Sequence, residues 1–296
     1  MCYDTLCLSG GGINGLDIIG SLKYLDDNNI IKISKINNFI GTSVGCIINI
    51  LLIIGYSINM IIKIINKLDF QKIKIEFDID NFFENFGIDN GSRIISIIQT
   101  LIFNKLGVYD LTFEELYNRT NKNLNIIVVN FTKQREELLS FENNPDMSII
   151  LAIRMSISIP FVFFPVKYSK DLYIDGGLLN NFGINYCKMD KTIGICIDTV
   201  NNSNPENIVD FLKSIMSLYH KAVTTNNKVH ENIICIECNS EYLSFNIDKE
   251  MKYKLIKNGY KKTKLKVKNK INFYASKFIN NIIDSSIKKY LSLSNF

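Results

Sequence analysis

Apolar positions along this chain fall into two rhythms. Short dense runs, Thr5 to Ser9, Ile36 to Ile40, Leu124 to Phe131, Glu137 to Phe141, Leu172 to Ile174, Thr192 to Ile197 and Ile233 to Cys238, most of them followed by glycine, asparagine or aspartate, predict buried strands. Between them apolar residues recur every three or four positions. Leu16, Ile19, Leu22 and Leu25 mark one helix, and the residues after Val44 mark a second. Ser57 to Leu68, Ser92 to Leu106, Ser148 to Ser158 and about Pro205 to Asn226 mark others. Gly107 closes the helix before it, and Thr112 with Glu115 forms a capping box that opens a short one. Asp69 to Asp89 has no clear period and reads as irregular. Strands alternating with helices predict an α/β fold with three layers, a mostly parallel central sheet flanked by helices, and a site at the carboxyl ends of the strands.

Two of the strand-to-helix junctions carry candidate chemistry. Ile36 to Ile40 runs into Gly41-Thr42-Ser43-Val44-Gly45, which fits the G-x-S-x-G nucleophile elbow. A serine on so tight a turn has a strained backbone, so Gly41 and Gly45 must lack a Cβ. The helix that follows offers free N–H groups to a developing oxyanion. The first strand runs into Gly10-Gly11-Gly12-Ile13-Asn14-Gly15. That also satisfies G-x-G-x-x-G, but a dinucleotide site needs an acid at the end of the second strand, and here stands Ile40-Gly41-Thr42-Ser43. Three glycines can instead turn successive N–H groups to one side as an anion-binding concavity.

Composition changes the picture in three places. At 296 residues and 47% hydrophobic content the chain has ample core. Seven cysteines lie at no framework spacing, and Cys235 and Cys238 read as a buried structural pair rather than a metal or redox site. Met1 to Asp4 leads straight into a strand with no leader pattern, and the longest apolar stretch, Val44 to Ile54, is too short to span a bilayer. The expectation is an intracellular, cytoplasmic, reduced protein, soluble or peripheral to a membrane. From Lys249 to Lys289 thirteen lysines face only Glu250 and Asp284, with Tyr253, Ile256, Tyr260, Thr263, Val267 and Ile271 at helical spacing. This predicts a catalytic domain over residues 1–246 and a basic amphipathic helical extension over 247–296, packed on or beside it. Its lysines either form a solvated face or attract anionic lipid headgroups. No arginine is present in it to fork onto bases, so nucleic acid is not expected.

Gly-Gly-Gly-x-x-Gly, Gly-x-Ser-x-Gly some thirty residues on, and Asp175-Gly176-Gly177 far downstream together resemble the patatin-like phospholipase family. Ala152 to Pro160, similar to that family's alanine- and serine-rich helix before a proline, and Phe164-Pro165-Val166 extend the likeness, which runs from about Leu6 to Phe182. The resemblance implies a patatin-like fold and hydrolysis of acyl esters of phospholipids, lysophospholipids or neutral lipids by a Ser–Asp dyad. Ser43 would be the nucleophile and Asp175 its base. Gly10, Gly11, Gly12 and Val44 would form the oxyanion hole, with Gly15, Gly41, Gly45, Gly176 and Gly177 supporting the motifs. Asn14 stands where the family has Arg or Lys, and Gly183 where it has proline. Two histidines, His220 and His230, supply poor bases for a Ser-His-Asp triad, which agrees with a dyad. No metal or cofactor is implied. A soluble ester or thioester as substrate, or a catalytically silent lipid-binding protein on the same fold, are the alternatives.

Overall fold

The computed structural model describes residues 3–69, 79–199, 211, 214, 215, 218, 230–238 and 247–293. Its strands are β1 (Thr5–Leu8), β2 (Asn38–Thr42), β3 (Asn123–Asn130), β4 (Arg135–Ser140), β5 (Val166–Tyr168), β6 (Asp171–Asp175), β7 (Thr192–Thr199) and β8 (Ile233–Cys238). Its helices are α1 (Gly15–Asp27), α2 (Val44–Ile53), α3 (Ile58–Lys67), α4 (Ile79–Asn85), α5 (Ser92–Leu106), α6 (Phe113–Thr120), α7 (Ile149–Ser156) and α8 (Lys249–Leu293). One sheet holds all these strands. β3, β2, β1, β7 and β8 lie side by side in parallel, while β4, β5 and β6 join antiparallel beyond β3. The fold is thus a mostly parallel central sheet flanked by helices.

Alternation along β1 shows how the layers form. Leu6 and Leu8 point into the large core under the helices, whereas Cys7 points the other way, with Ile40, Ile127 and Cys196, against Phe182 and Ile184.

The register around β3 brings two distant segments together. β4 occupies one edge of β3 from Asn125 to Asn130, so β2 and β6 must share the other edge in tandem. β2 runs parallel and ends with Thr42 opposite Ile127. β6 runs antiparallel and ends with Asp175 opposite Val128. The two strands therefore approach each other head to head, and the residues just past their ends, 43 and 175–177, converge on one point.

Local structure departs from the sequence reading in two places. The segment expected to be irregular holds α4, whose two turns are too short to show a period. Its Phe82 stacks on Phe161 at 6.2 Å, so tertiary contact supports it. Cys235 and Cys238 do not form a pair. An odd separation puts them on opposite faces of β8, and Cys235 instead bonds Cys196, its neighbour in register on β7. The helix expected over Pro205 to Asn226, with His220, falls almost entirely outside the described residues.

The basic segment is one helix, α8, and it packs along α1. A Cβ on Gly20 would overlap the Ile256 carbonyl and one on Gly259 the Asp17 carbonyl, so the two backbones touch where these glycines cross. Polar groups follow the same line. The Asn258 amide donates to Asp17 at 2.7 Å, Thr263 to Ser21 at 2.6 Å, and Tyr24 meets Tyr260 edge-on. Burial lifts the Asp17 carboxyl to about 6, against the lowering pull of Asn258. Lys252 is buried despite its charge, and its ammonium donates to the Ile65 and Leu68 carbonyls at the end of α3.

Candidate active site

Ser43 sits between β2 and α2 with φ 52° and ψ −123°, a conformation that a residue with a Cβ rarely adopts. Its neighbours make room for it. A Cβ on Gly41 would lie 2.6 Å from the Cys46 nitrogen, and one on Gly45 2.5 Å from the Leu8 carbonyl oxygen. Hydrogen bonds hold the strain in place. The Ser43 N–H donates to the Ser156 hydroxyl at 2.9 Å, and that hydroxyl donates to the Ile127 carbonyl at 2.7 Å. The Ser43 carbonyl accepts from the Cys46 N–H and thiol. α7 thus braces the elbow against the point on β3 where β2 and β6 meet.

Asp175, at the end of β6, is 5% exposed and faces Ser43. Its Oδ1 accepts the Gly177 N–H at 2.7 Å, and Oδ2 is buried without a full hydrogen bond among the described residues. Burial is the main influence on it and lifts its carboxyl from 3.8 to about 7, while the Gly177 N–H and the Ser43 hydroxyl pull in the other direction. A carboxylate poised near neutral pH beside a hydroxyl can accept its proton and give it up again.

The glycine loop lies next to the elbow. The N–H of Gly10 is committed to the Asn181 carbonyl at 3.0 Å, so Gly10 is removed from the expected oxyanion donors. The N–H groups of Gly11, Gly12 and Val44 have no partner among the described residues. Gly12 has φ 53°, a left-handed conformation that glycine adopts without strain. Gly15 packs on Val44, and Gly176 packs on the Ile127 carbonyl. Every residue expected in the site is therefore gathered in one region. His230 is not among them; its Nδ1 accepts a local bond from Asn232.

Sequence reasoning overlooked Ser156 and Asn181. Asn181 donates its side-chain amide to the Gly10 carbonyl while its own carbonyl takes the Gly10 N–H, joining the Asp175 loop to the glycine loop twice. Asn180 accepts the Thr42 hydroxyl at 3.1 Å. These ties hold the loop to the glycine loop and to the end of β2. Gly183 itself keeps φ −66°, a value proline shares.

A cavity of about 180 Å³ opens beside Ser43, Gly12 and Val44. Its walls are almost wholly apolar: Ile19 of α1, Ile47 of α2, Ile61 of α3, Ile98 and Leu101 of α5, and Phe163. A hydrocarbon chain fits such a lining, and a sugar or nucleotide would leave its polar groups unpaired there.

A parallel sheet with a strained serine elbow facing a buried carboxylate defines a class of α/β proteins that comparison narrows further. The model of the patatin-like phospholipase family matches residues 6–188, and the chain belongs to that family. It is 36% identical over 187 residues to a probable lipid hydrolase of Invertebrate iridescent virus 6, covering 62% of each chain. It is 34% identical over 291 residues to an uncharacterised protein of Acanthamoeba polyphaga mimivirus, covering 90% of this chain and 95% of the other. VipD from Legionella pneumophila shares the fold at a TM-score of 0.63 and 19% identity, over 90% of this chain and 67% of VipD. ExoU of Pseudomonas aeruginosa, in its complex with SpcU, does so at 0.51 and 15%, over 90% of this chain and 51% of ExoU.

Proposed function

We propose that this protein hydrolyses carboxylic-ester bonds of phospholipids or lysophospholipids through an acyl-enzyme on Ser43, with Asp175 as the base. The observation that carries the reading is the strained Ser43 facing the buried Asp175 at the mouth of an apolar cavity. Ser43 Oγ attacks the ester carbonyl, and its proton passes to Asp175. The N–H groups of Gly11, Gly12 and Val44 receive the oxyanion, each typically worth about 2.7–4 kcal/mol of barrier. Collapse expels the alcohol, which takes the proton from Asp175 and leaves the acyl chain on Ser43. Water then attacks, with Asp175 again the base, and fatty acid leaves. Membership of the family and the viral relative named as a lipid hydrolase support the substrate class.

The protein works at membrane surfaces in this reading. Lys257, Lys261, Lys264 and Lys268 lie at helical spacing on the side of α8 away from α1 and are exposed. Each such lysine near an anionic bilayer contributes about 1 kcal/mol of attraction. Among the described residues no helix is long and apolar enough to cross a membrane.

The test is fatty-acid release from phosphatidylcholine vesicles with and without phosphatidylglycerol, comparing the parent with Ser43→Ala and Asp175→Asn. Release should fall at least about a thousandfold in both variants. Undiminished release by either folded variant would overturn its assigned role.

A further inference from the structure

The cavity beside Ser43 has an aromatic rim. α3 and α5 form two of its walls, and the connection between them passes through α4. Phe83 of α4 is 70% exposed and Phe86, just beyond it, 64%. Phe82 stacks on Phe161, itself 41% exposed, and two residues further on Phe163 is buried in the cavity wall. An aromatic ribbon therefore runs from solvent to the cavity interior. Isolated exposed apolar residues are ordinary, but a contiguous group marks a contact surface.

The rim is built rather than loose. The N–H groups of Ile88 and Asp89 both donate to the Val162 carbonyl, at 3.1 and 3.0 Å, and Phe164 donates to the Asp89 carbonyl at 2.9 Å. Arg154 clamps the two segments from below. Its guanidinium donates to the carbonyls of Asn90 and Phe164, each at 2.8 Å, and to the Ser158 hydroxyl. Gly87 lets the segments touch, since a Cβ there would lie 2.8 Å from the Phe163 backbone. Phe86 is held at φ 57°, which a bulky side chain avoids unless its surroundings impose it.

What such a rim meets is indicated by its two neighbours. One is the apolar cavity with which it is continuous. The other is α8, whose first turn is tied by Lys252 to the carbonyls of Ile65 and Leu68, two residues that line the same cavity. That turn exposes Met251, Tyr253 and Lys249, with Lys257 one turn on. Phenylalanines with lysines alongside fit a bilayer whose headgroups are anionic and whose acyl region lies a few ångströms below.

We propose that Phe83, Phe86 and Phe161 are an insertion tip that enters the edge of an anionic phospholipid bilayer and sets the cavity mouth against it. An acyl chain then moves from the bilayer towards Ser43 along an apolar path. The role of the cavity rests on the hydrolase reading above; insertion of the tip does not.

The chain has no tryptophan, so F83W is a clean optical reporter. On mixing with phosphatidylcholine–phosphatidylglycerol vesicles, F83W emission should shift to the blue and be quenched by brominated acyl chains. In a second arm, the F83D/F86N double variant should release fatty acid from the same vesicles roughly tenfold more slowly than the parent. Its hydrolysis of soluble p-nitrophenyl butyrate should match the parent, which shows the fold and site intact. Unchanged F83W emission with vesicles overturns the proposal, as does vesicle hydrolysis by the double variant at the parent's rate. A blue shift that instead follows protein concentration without vesicles would assign the patch to a second copy and overturn it as well. If the parent hydrolyses neither substrate the hydrolase reading fails, while the F83W measurement still decides insertion.

Discussion

Asp175 should make this protein progressively less stable as pH rises from about 4 to about 7, and removing its charge should remove that contribution. Burial lifts its carboxyl from 3.8 to about 7. Below pH 3.8 folded and unfolded chains both hold the proton. Between 3.8 and about 7 the folded chain keeps it and the unfolded chain does not, so stability falls as pH rises. Above 7 both have lost it and the full penalty is present. At about 1.36 kcal/mol per pH unit the penalty is roughly 4 kcal/mol. With only 5% of the residue exposed, little of that is screened by solvent. Asp175→Asn keeps the shape and removes the charge. Its Tm should lie near the parent's at pH 4 and on the order of 10 °C above it at pH 8. Asp17, also lifted by burial, gives both proteins the same trend, so the difference between them isolates Asp175. Thermal unfolding of the two proteins across pH 4 to 8 is the assay. A difference independent of pH, or one that shrinks towards pH 8, would refute the reasoning. The same carboxylate sets catalysis: kcat/KM should rise about tenfold per pH unit below 7 and level off above it.

Three further outcomes follow from particular contacts. Ser156→Ala leaves the Ser43 N–H and the Ile127 carbonyl without their shared partner; kcat should drop about tenfold or more with KM nearly unchanged, at a stability cost of roughly 1–3 kcal/mol. Ile98→Phe fills the cavity and should shift preference towards shorter acyl chains, raising the octanoyl-to-palmitoyl ratio of kcat/KM by about tenfold in assays on p-nitrophenyl esters. Gly259→Ala places a methyl against the Asp17 carbonyl and should destabilise the α1–α8 crossing by about 1–3 kcal/mol, read as a lower denaturant midpoint.

How much of this was legible depended on how local each cause was. The elbow could be read because Gly41 and Gly45 are required within two residues of Ser43, and the capping box at Thr112 and Glu115 forms as its spacing implies. Asp175 was recognisable only through the family motif, since its meeting with Ser43 comes from β2 and β6 sharing one edge of β3. Ser156 reaches Ser43 and Asn181 reaches Gly10 across more than a hundred residues, and no local pattern marks them. The commitment of Gly10 to Asn181 was hidden for the same reason. The parity of Cys235 and Cys238 on a strand was readable and argued against pairing them. Lys252, one lysine among thirteen in the basic segment, is distinguished only by the carbonyls at the end of α3.

The assignment of Ser43 is tested most directly by trapping it. A fluorophosphonate probe should label the folded parent, and peptide mass spectrometry should place the adduct on Ser43. Labelling should be lost in Ser43→Ala and slowed in Asp175→Asn. An adduct on another residue, or none on a chain that still releases fatty acid, would contradict a serine nucleophile at position 43.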